Sequence, residues 1–364
     1  MANVTYIFTS GRMSKINNRD YSEDFFYGCR HLINKGFNVN IIEFNNINKF
    51  LKKFEYYLSK FFSLPLYFFS IFSLKNIKLI KNSNNVIMIS ESTGFATLPL
   101  LILLKKKYKI KTHLFAMGLY SKKINYKALE KAHYVLINLL EKFVDKIYFL
   151  GSEEYKIAIS RNYSKSNKYF FKPFCIDDKF WISNKNSDKR KKYILFIGND
   201  SNRDFELLEK IVKSIPNQKF KLVSNNEVVL NFKYDNVSIV KGDWKESLIS
   251  DSDLRKVYEL ANLVILPLKE SNQPSGQSVS LQAMAAGIPV AITRTKGFWE
   301  KEKYYHNENI FFLEPSNLDE WLNLIQNVIK DQKLLDKLAL NSKQLILENY
   351  SIDKLNTFLI KELE

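Results

Sequence analysis

Between residues 271 and 292 the chain reads SNQPSGQSVSLQAMAAGIPVAI, without one formally charged residue in a protein that carries 55 lysines and arginines. A polar loop containing Pro274 and Gly276 opens a run of helical character, and Gly-Ile-Pro closes it. Helix N-termini leave backbone N–H groups unpaired and carry a partial positive charge, so an opening of this kind suits phosphate oxygens. Ser275 and Gly276 let a ligand approach the backbone closely, and Ser278 adds a hydroxyl. Ser275, Ser278 and Gln282 fall on one helix face at offsets of three and four. Gln273, Ser275, Gln277 and Ser278 supply more hydrogen-bonding groups than a structural cap needs. The second half, LQAMAAGIPV, has the composition of a helix and strand packed inside an α/β domain.

The elements around this loop set its position. NLVILP (262–267) reads as the strand before it and PVAIT (289–293) as the strand after it. Upstream come YILFIGN (193–199), a helix over DFELLEKIVKSI, KFKLVS (219–224), VSIV (237–240) and a helix over LRKVYELA. The first half alternates in the same way. VTYIFTS (4–10) is followed by a predicted helix from Ser22 to about Lys35, closed by Gly36, and by the strand FNVNIIEF. Lys-rich amphipathic helices are expected over 47–81. VIMIS (86–90), an apolar helix from about Phe95, KTHLFAM (111–117), a helix near 127–144 and KIYFLGS (146–152) complete the half.

Strands and helices alternating over short connections predict parallel sheets covered on both faces. The expected fold is therefore α/β, with two Rossmann-like, doubly wound domains facing across a cleft. Their bounds are read as 1–178 and 179–348, with a polar, Lys-rich linker from Ser183 to Lys192. Residues 349–364 are read as a terminal helix that crosses back to the first domain, with Ser351 as its candidate cap. Ligands of open parallel sheets sit beyond the carboxyl ends of the strands. In the first domain that rule selects Gly11 and Arg12 after the first strand, Glu91, Ser92 and Thr93 after VIMIS, and Gly118.

Composition narrows the function. An apolar fraction of 46% excludes a disordered chain, and 364 residues suffice for two cores. Cys29 and Cys175 stand far apart without metal-type spacing, which points away from a disulfide framework or a zinc site and toward a reduced, cytoplasmic setting. The start, MANVTYIFTS, enters a strand-like run directly, so no secretory leader is expected. No run reaches the roughly 18 to 20 apolar residues of a membrane span. FFSLPLYFFSIFSL (61–74) is short, holds a proline, and reads as interfacial or buried. Residues 1–180 hold 29 Lys+Arg against 13 Asp+Glu, a difference of +16, whereas residues 181–364 hold 26 against 25, a difference of +1. Charge confined to one half favours an anionic surface as that half's partner. LKKKYKIK (104–111) and SKKINYK (121–127) are basic with interleaved Tyr, and INKFLKKFEYYLSKFF (47–62) has the pattern of an interfacial amphipathic helix.

The segment LQAMAAGIPVAIT resembles the signature of retaining nucleotide-sugar glycosyltransferases of the GT-B fold, in particular glycosyltransferase family 4. KPFCIDDKF (172–180), YILFIGNDSNRDFELL (193–208), VYELANLVILPL and ENYSIDKL resemble further segments of that family, in the right order. The resemblance covers the second half and, in architecture alone, the first. It implies a nucleotide-diphosphate sugar donor, UDP- or GDP-linked, held by Gly198, Asn199, Arg203, Gln273, Ser275, Gly276, Gln277, Ser278 and Gln282. Gln282 stands where the family has a Glu on the ribose hydroxyls, and Pro274 where it has a Glu on the sugar. Gly198 is followed by Asn199 and Asp200, which leaves Arg203 as the guanidinium for the diphosphate. Met117, not a histidine, occupies the family's first-domain His position, and His31, His113, His133 and His306 receive no catalytic role.

Charge grows on the leaving phosphate during transfer, so preorganised donors and a cation are where rate should come from. Arg203, Gln277 and Ser278 are the candidate catalytic residues, with Ser275 and Gly276 beside them. No cofactor and no metal ion are expected, because no Asp-x-Asp stretch sits at a candidate metal position. The expected acceptor is a lipid or lipid-linked glycan, bound by the first domain of an enzyme that lies peripherally on the inner face of the plasma membrane. Two alternatives are a GT-B relative with different chemistry, such as a sugar-nucleotide epimerase or a non-catalytic partner, and a basic nucleic-acid-binding protein. The latter does not account for the neutral second half, and no nucleic-acid motif is present.

Overall fold

The computed structural model describes residues 2–122, 124, 126–182, 192–243, 246 and 248–364. The chain forms two compact units. The first comprises Met1–Asn17, Phe25–Pro173 and Asn356–Glu364, and the second Asn18–Asp24 and Phe174–Leu355. The main division lies between Pro173 and Phe174, against the expected bound of 178. Asn18–Asp24, early in the chain, joins the second unit, and the last helix, Ile352–Leu363, begins in the second unit and ends in the first. Of the expected linker, only Lys192 lies within the described residues, and its N–H donates to the Leu260 carbonyl at 2.8 Å.

The first unit contains β1 (Asn3–Phe8), β2 (Asn38–Glu43), β3 (Asn85–Ile89), β4 (Lys111–Ala116), β5 (Lys146–Phe149) and β6 (Tyr169–Phe171), in the order β2-β1-β3-β4-β5-β6. Every pairing is parallel. All five residues of β3, NVIMI, are buried, as a parallel strand covered on both faces requires. The chain order reverses between β1 and β3, so the loops after them flank the crevice where ligands of such sheets bind.

The helix predicted from Ser22 to Lys35 is interrupted. Asp24–Phe26 is a short 3-10 turn, Tyr27 and Gly28 have φ of 48° and 76°, and a helix covers only Cys29–Asn34. Gly28 has no room for a side chain, since a Cβ would lie 2.5 Å from Leu359 Cδ1. Helical spacing had bridged two segments that belong to different units.

The second unit contains β7 (Tyr193–Ile197), β8 (Phe220–Val223), β9 (Val237–Val240), β10 (Ala261–Leu266), β11 (Val290–Thr293) and β12 (Phe311–Leu313). Read from the β9 edge the order is β9-β8-β7-β10-β11-β12, all parallel. This is the 3-2-1-4-5-6 order of a Rossmann sheet, whose reversal lies between β7 and β10. The core below that point is built by Ile194, Phe196, Leu263, Ile265, Leu208, Ile211 and Trp321. The short strands β6 and β12 were not anticipated, because three residues are too few for a period to show.

Candidate functional site

In the second unit the loops after β7 and β10 are stitched into one rim. Arg203 and Leu268 form an antiparallel bridge, Asp204 N–H donates to the Pro267 carbonyl at 2.9 Å, and Lys269 N–H donates to the Asn202 carbonyl at 2.9 Å. Asn202 Nδ2 reaches Gln273 Oε1 at 3.0 Å and Ser275 Oγ at 2.8 Å. The loop after β11 supports the rim from the other side. Gly297 N–H donates to the Ser271 carbonyl at 2.7 Å, and a Cβ at Gly297 would lie 2.4 Å from Asn272 C and 2.5 Å from Gln273 O. Only a residue without a side chain permits that approach.

Arg203 is 4% exposed. Its side chain crosses Gly198 so closely that a Cβ there would stand 2.3 Å from Nε. Nη1 lies 3.4 Å from Asp200 Oδ2, within reach of attraction but without a hydrogen bond, and Nε and Nη1 are both buried without a hydrogen-bond partner. Burial pulls the guanidinium below its ordinary pKa, and Asp200 and Tyr258 oppose that pull. A buried cation with unmade bonds costs free energy, which an anionic ligand with oxygen acceptors would relieve.

Beside it, Gly276 sits at φ +78° before the helix Gln277–Ala285, with no side-chain cap on the helix. Gly276, having no side chain, leaves the Ser278 N–H uncapped. Ser275 and Ser278 are half-buried and Gln277 is buried. The topology thus brings Gly198, Arg203, Gln273, Ser275, Gly276, Gln277 and Ser278 to the carboxyl ends of β7 and β10. Asn199 lies on the same edge, but its side chain braces neighbouring loops. Its Nδ2 donates to the Gly242 carbonyl at 2.8 Å, and its Oδ1 accepts from Asn225 N–H at 2.6 Å and the Ser224 hydroxyl at 3.0 Å.

Gln282 is engaged inside the unit. Its Nε2 donates to Asp24 Oδ2 at 2.8 Å, and its Oε1 accepts from the Tyr258 hydroxyl at 3.2 Å. Asp24 also accepts from Trp181 Nε1 at 2.8 Å and from Asp177 N–H at 2.6 Å. Burial raises its carboxyl to about 7, with Asp251 and Asp177 adding to the push and the hydrogen bonds from Asp177 and Gln282 opposing it. Asp24, Trp181 and Tyr258 carried no signal in the sequence. Asp24 lies 258 positions from the amide it holds.

The first unit carries its own set at the reversal between β1 and β3. Gly11 has φ +76°, and Arg12 donates from Nη1 to the Ser10 carbonyl at 2.8 Å and from its backbone N–H to Glu43. Burial lowers the Arg12 pKa. Ser90, at φ 93°, is strained for a non-glycine residue, and its hydroxyl is buried without a partner; strain of this kind collects at functional sites. Glu91, raised by burial, accepts from Met117 N–H at 3.3 Å. Ser92 is half-buried, while Thr93 is buried and donates to the Ser90 carbonyl at 2.8 Å. Gly118 lies in the loop after β4, and Glu154 holds that loop by accepting from Tyr120 N–H at 2.9 Å. Burial, with Glu91 adding, pushes Glu154 to about 8. His113 lies near the opposite end of β4, buried, with Nδ1 3.1 Å from the Tyr148 hydroxyl and Nε2 3.2 Å from Asn85 Oδ1. Burial takes it down to about 4. Among the described residues no group of three or more His, Cys, Asp or Glu side chains is placed to hold a metal ion.

Residues 177–345 match the family model of glycosyl transferases group 1. The matched stretch lies within the second unit. The chain as a whole has the GT-B fold. It is similar to sucrose-phosphate synthase from Thermosynechococcus elongatus, with a TM-score of 0.72 at 15% identity over 99% of this chain and 98% of that one. It is also similar to Anabaena HepE in complex with UDP-glucose, with a TM-score of 0.69 at 14% identity over 100% and 99%. At these identities the likeness carries the fold. An uncharacterized glycosyltransferase of Methanocaldococcus jannaschii is 31% identical over 107 residues, which span 29% of this chain and 26% of that relative. The matched residues include β7, β10 and the rim between them.

Proposed function

We propose that the protein is a glycosyltransferase. It moves a sugar, with retention, from a UDP- or GDP-sugar to a lipid or lipid-linked saccharide at the cytoplasmic face of the membrane. The observation that carries this reading is Arg203, a buried guanidinium with unmade hydrogen bonds beside the uncapped helix at Gly276, at the reversal of a Rossmann sheet. A diphosphate fits that rim because its oxygens would accept from Arg203 and from the N–H and hydroxyl of Ser278. The same donors would stabilise the charge that grows on the leaving diphosphate as the glycosidic bond breaks. The similarity to HepE, solved with UDP-glucose, supports a nucleotide-sugar donor. The loops at Arg12, Ser90 and Glu91 are the acceptor side of the proposal, and the excess of +16 in residues 1–180 supports an anionic membrane surface. No helix of the described residues is long and apolar enough to cross a membrane, so the contact proposed is peripheral.

Thermal-shift measurements with UDP, GDP, ADP and CMP test the donor. Stabilisation by UDP or GDP is expected, and stabilisation by oligonucleotides alone would overturn the reading. Transfer is proposed to proceed without a divalent ion, since Arg203 and the helix N–H groups supply the positive charge. Turnover lost in a chelator and restored only by added metal would refute this. Pro274 in the rim and the hold of Asp24 on Gln282 favour one second reading, a GT-B relative that binds the nucleotide sugar but does different chemistry. Nucleotide binding without transfer to any lipid extract, but with conversion of the donor itself, would select it.

A further inference from the structure

The helix Lys49–Phe62 has two faces with different partners. Its inner face packs Leu58 and Phe62 against the core of the first unit. Glu55, the helix's one acid, is also turned inward, where it accepts from Phe69 N–H at 2.7 Å and the Ser70 hydroxyl at 3.2 Å. The outer face carries Phe50, Phe54, Tyr57 and Phe61 at offsets of four, three and four, exposed by 77, 49, 56 and 57%. Such offsets place the four rings in one row. Phe69 extends the row, its ring centre 6.4 Å from that of Phe54, and Phe72 and Leu74 are exposed beyond it. Lys49, Lys53 and Lys60 follow one flank of the row, and the Lys53 ammonium lies 6.0 Å from the Tyr57 ring. A continuous line of exposed rings is unusual on a surface that meets only water.

The geometry points to this row as the element that enters an anionic lipid bilayer, with the rings below the headgroups and the lysines at the level of the phosphates. A protein partner or a second copy would match the rings. The lysines, with no outward acid among them, match a surface of one sign, which anionic lipid provides. The proposal rests on the membrane-facing reading above and deepens it by assigning binding to inserted rings rather than to charge alone.

The experiment is co-sedimentation of the full chain with phosphatidylcholine vesicles, with and without phosphatidylglycerol. It is run at low salt and at about 0.5 M salt, where charges beyond roughly 4 Å are screened. The wild type is expected to bind the anionic vesicles and to keep a measurable part of that binding in high salt. The triple variant Phe50→Ser/Phe54→Ser/Phe61→Ser should bind at least about a hundredfold more weakly. Its melting temperature and its response to UDP should be unchanged, because these rings are exposed. Equal vesicle binding by the ring variant, with loss only in Lys49→Glu/Lys53→Glu/Lys60→Glu, would overturn insertion and leave the membrane-facing reading standing. A wild type that ignores all vesicles overturns both, while its UDP response still tests the donor site. Self-association without lipid that disappears in the ring variant, with vesicle binding unchanged, would assign the row to a second copy and overturn the proposal.

Discussion

Replacing Arg203 with Gln should weaken nucleotide binding without weakening the free protein, and this pairing of effects separates a ligand-binding residue from a structural one. In the free state the guanidinium is 4% exposed, and Nε and Nη1 have no hydrogen-bond partner. An unmade buried donor costs about 1–3 kcal/mol. The opposing attraction to Asp200 acts at 3.4 Å on a carboxylate that is half in solvent, which limits it to about 1 kcal/mol. Removing the charge should therefore leave the unfolding free energy within about 1 kcal/mol of wild type, or raise it. A bound diphosphate would make charge-assisted bonds to those nitrogens, worth about 1.5–3 kcal/mol each. Losing even one or two of them raises the Kd for UDP by about a hundredfold. Arg203→Lys keeps the charge but not the planar fork, and should lose about tenfold. Urea unfolding and isothermal titration with UDP measure the two quantities on the same samples. A variant that unfolds several kcal/mol more easily yet binds UDP like the wild type would show that Arg203 serves the fold, and the reasoning would fail.

Gly198→Ala should act through the same residue, because its Cβ would stand 2.3 Å from Arg203 Nε and 2.9 Å from Cγ and Cδ. UDP affinity should fall about tenfold, and the double variant with Arg203→Gln should bind no worse than Arg203→Gln alone. Gly297→Ala places a Cβ 2.4 Å from the Asn272 backbone, so the rim must shift; a destabilisation of about 1–3 kcal/mol with weaker UDP binding is expected in urea melts and titrations. Asp24 should give stability a pH dependence of definite sign. Its carboxyl rises from an ordinary 3.8 to about 7 in the fold, so the folded state holds the extra proton. Its stabilisation is complete below about pH 4 and is lost as pH rises through about 7, by an amount of order 4 kcal/mol at most. Asp24→Asn should flatten the urea midpoint between pH 5 and 8 relative to wild type, and an unaltered slope would refute the assignment.

Much of the second unit was legible because its signals are local. The buried runs YILFI and NLVILP, the small-residue helix between them and PVAIT, and the turn at Ser275-Gly276 each announce themselves within about ten residues. Arg203 was singled out as the available guanidinium, and the loop after β7 places it over Gly198, against the loop after β10. Two features that the linear pattern left out have the same physical origin. The helix drawn from Ser22 to Lys35 follows a helical period, but the segment is broken by backbone at positive φ where Gly28 meets Leu359, a contact between residues more than three hundred positions apart. Gln282, which the resemblance sets at the ribose position, has its amide held by Asp24 and Tyr258, contacts that no local pattern contains.

Periodicity and turn chemistry along the chain were enough to specify two doubly wound sheets, the uncharged rim helix and the basic bias of the first half. These follow from interactions between near neighbours and from hydrophobic pattern. Tertiary structure alone decided which unit receives residues 18–24, what holds Gln282, that Arg203 is buried with unmade bonds, and that Phe50, Phe54, Tyr57 and Phe61 stay outside while Glu55 turns in. Each of these depends on a partner far away in the chain. Desolvation and hydrogen-bond satisfaction are set by what surrounds a group in space, and a linear pattern does not contain that surrounding.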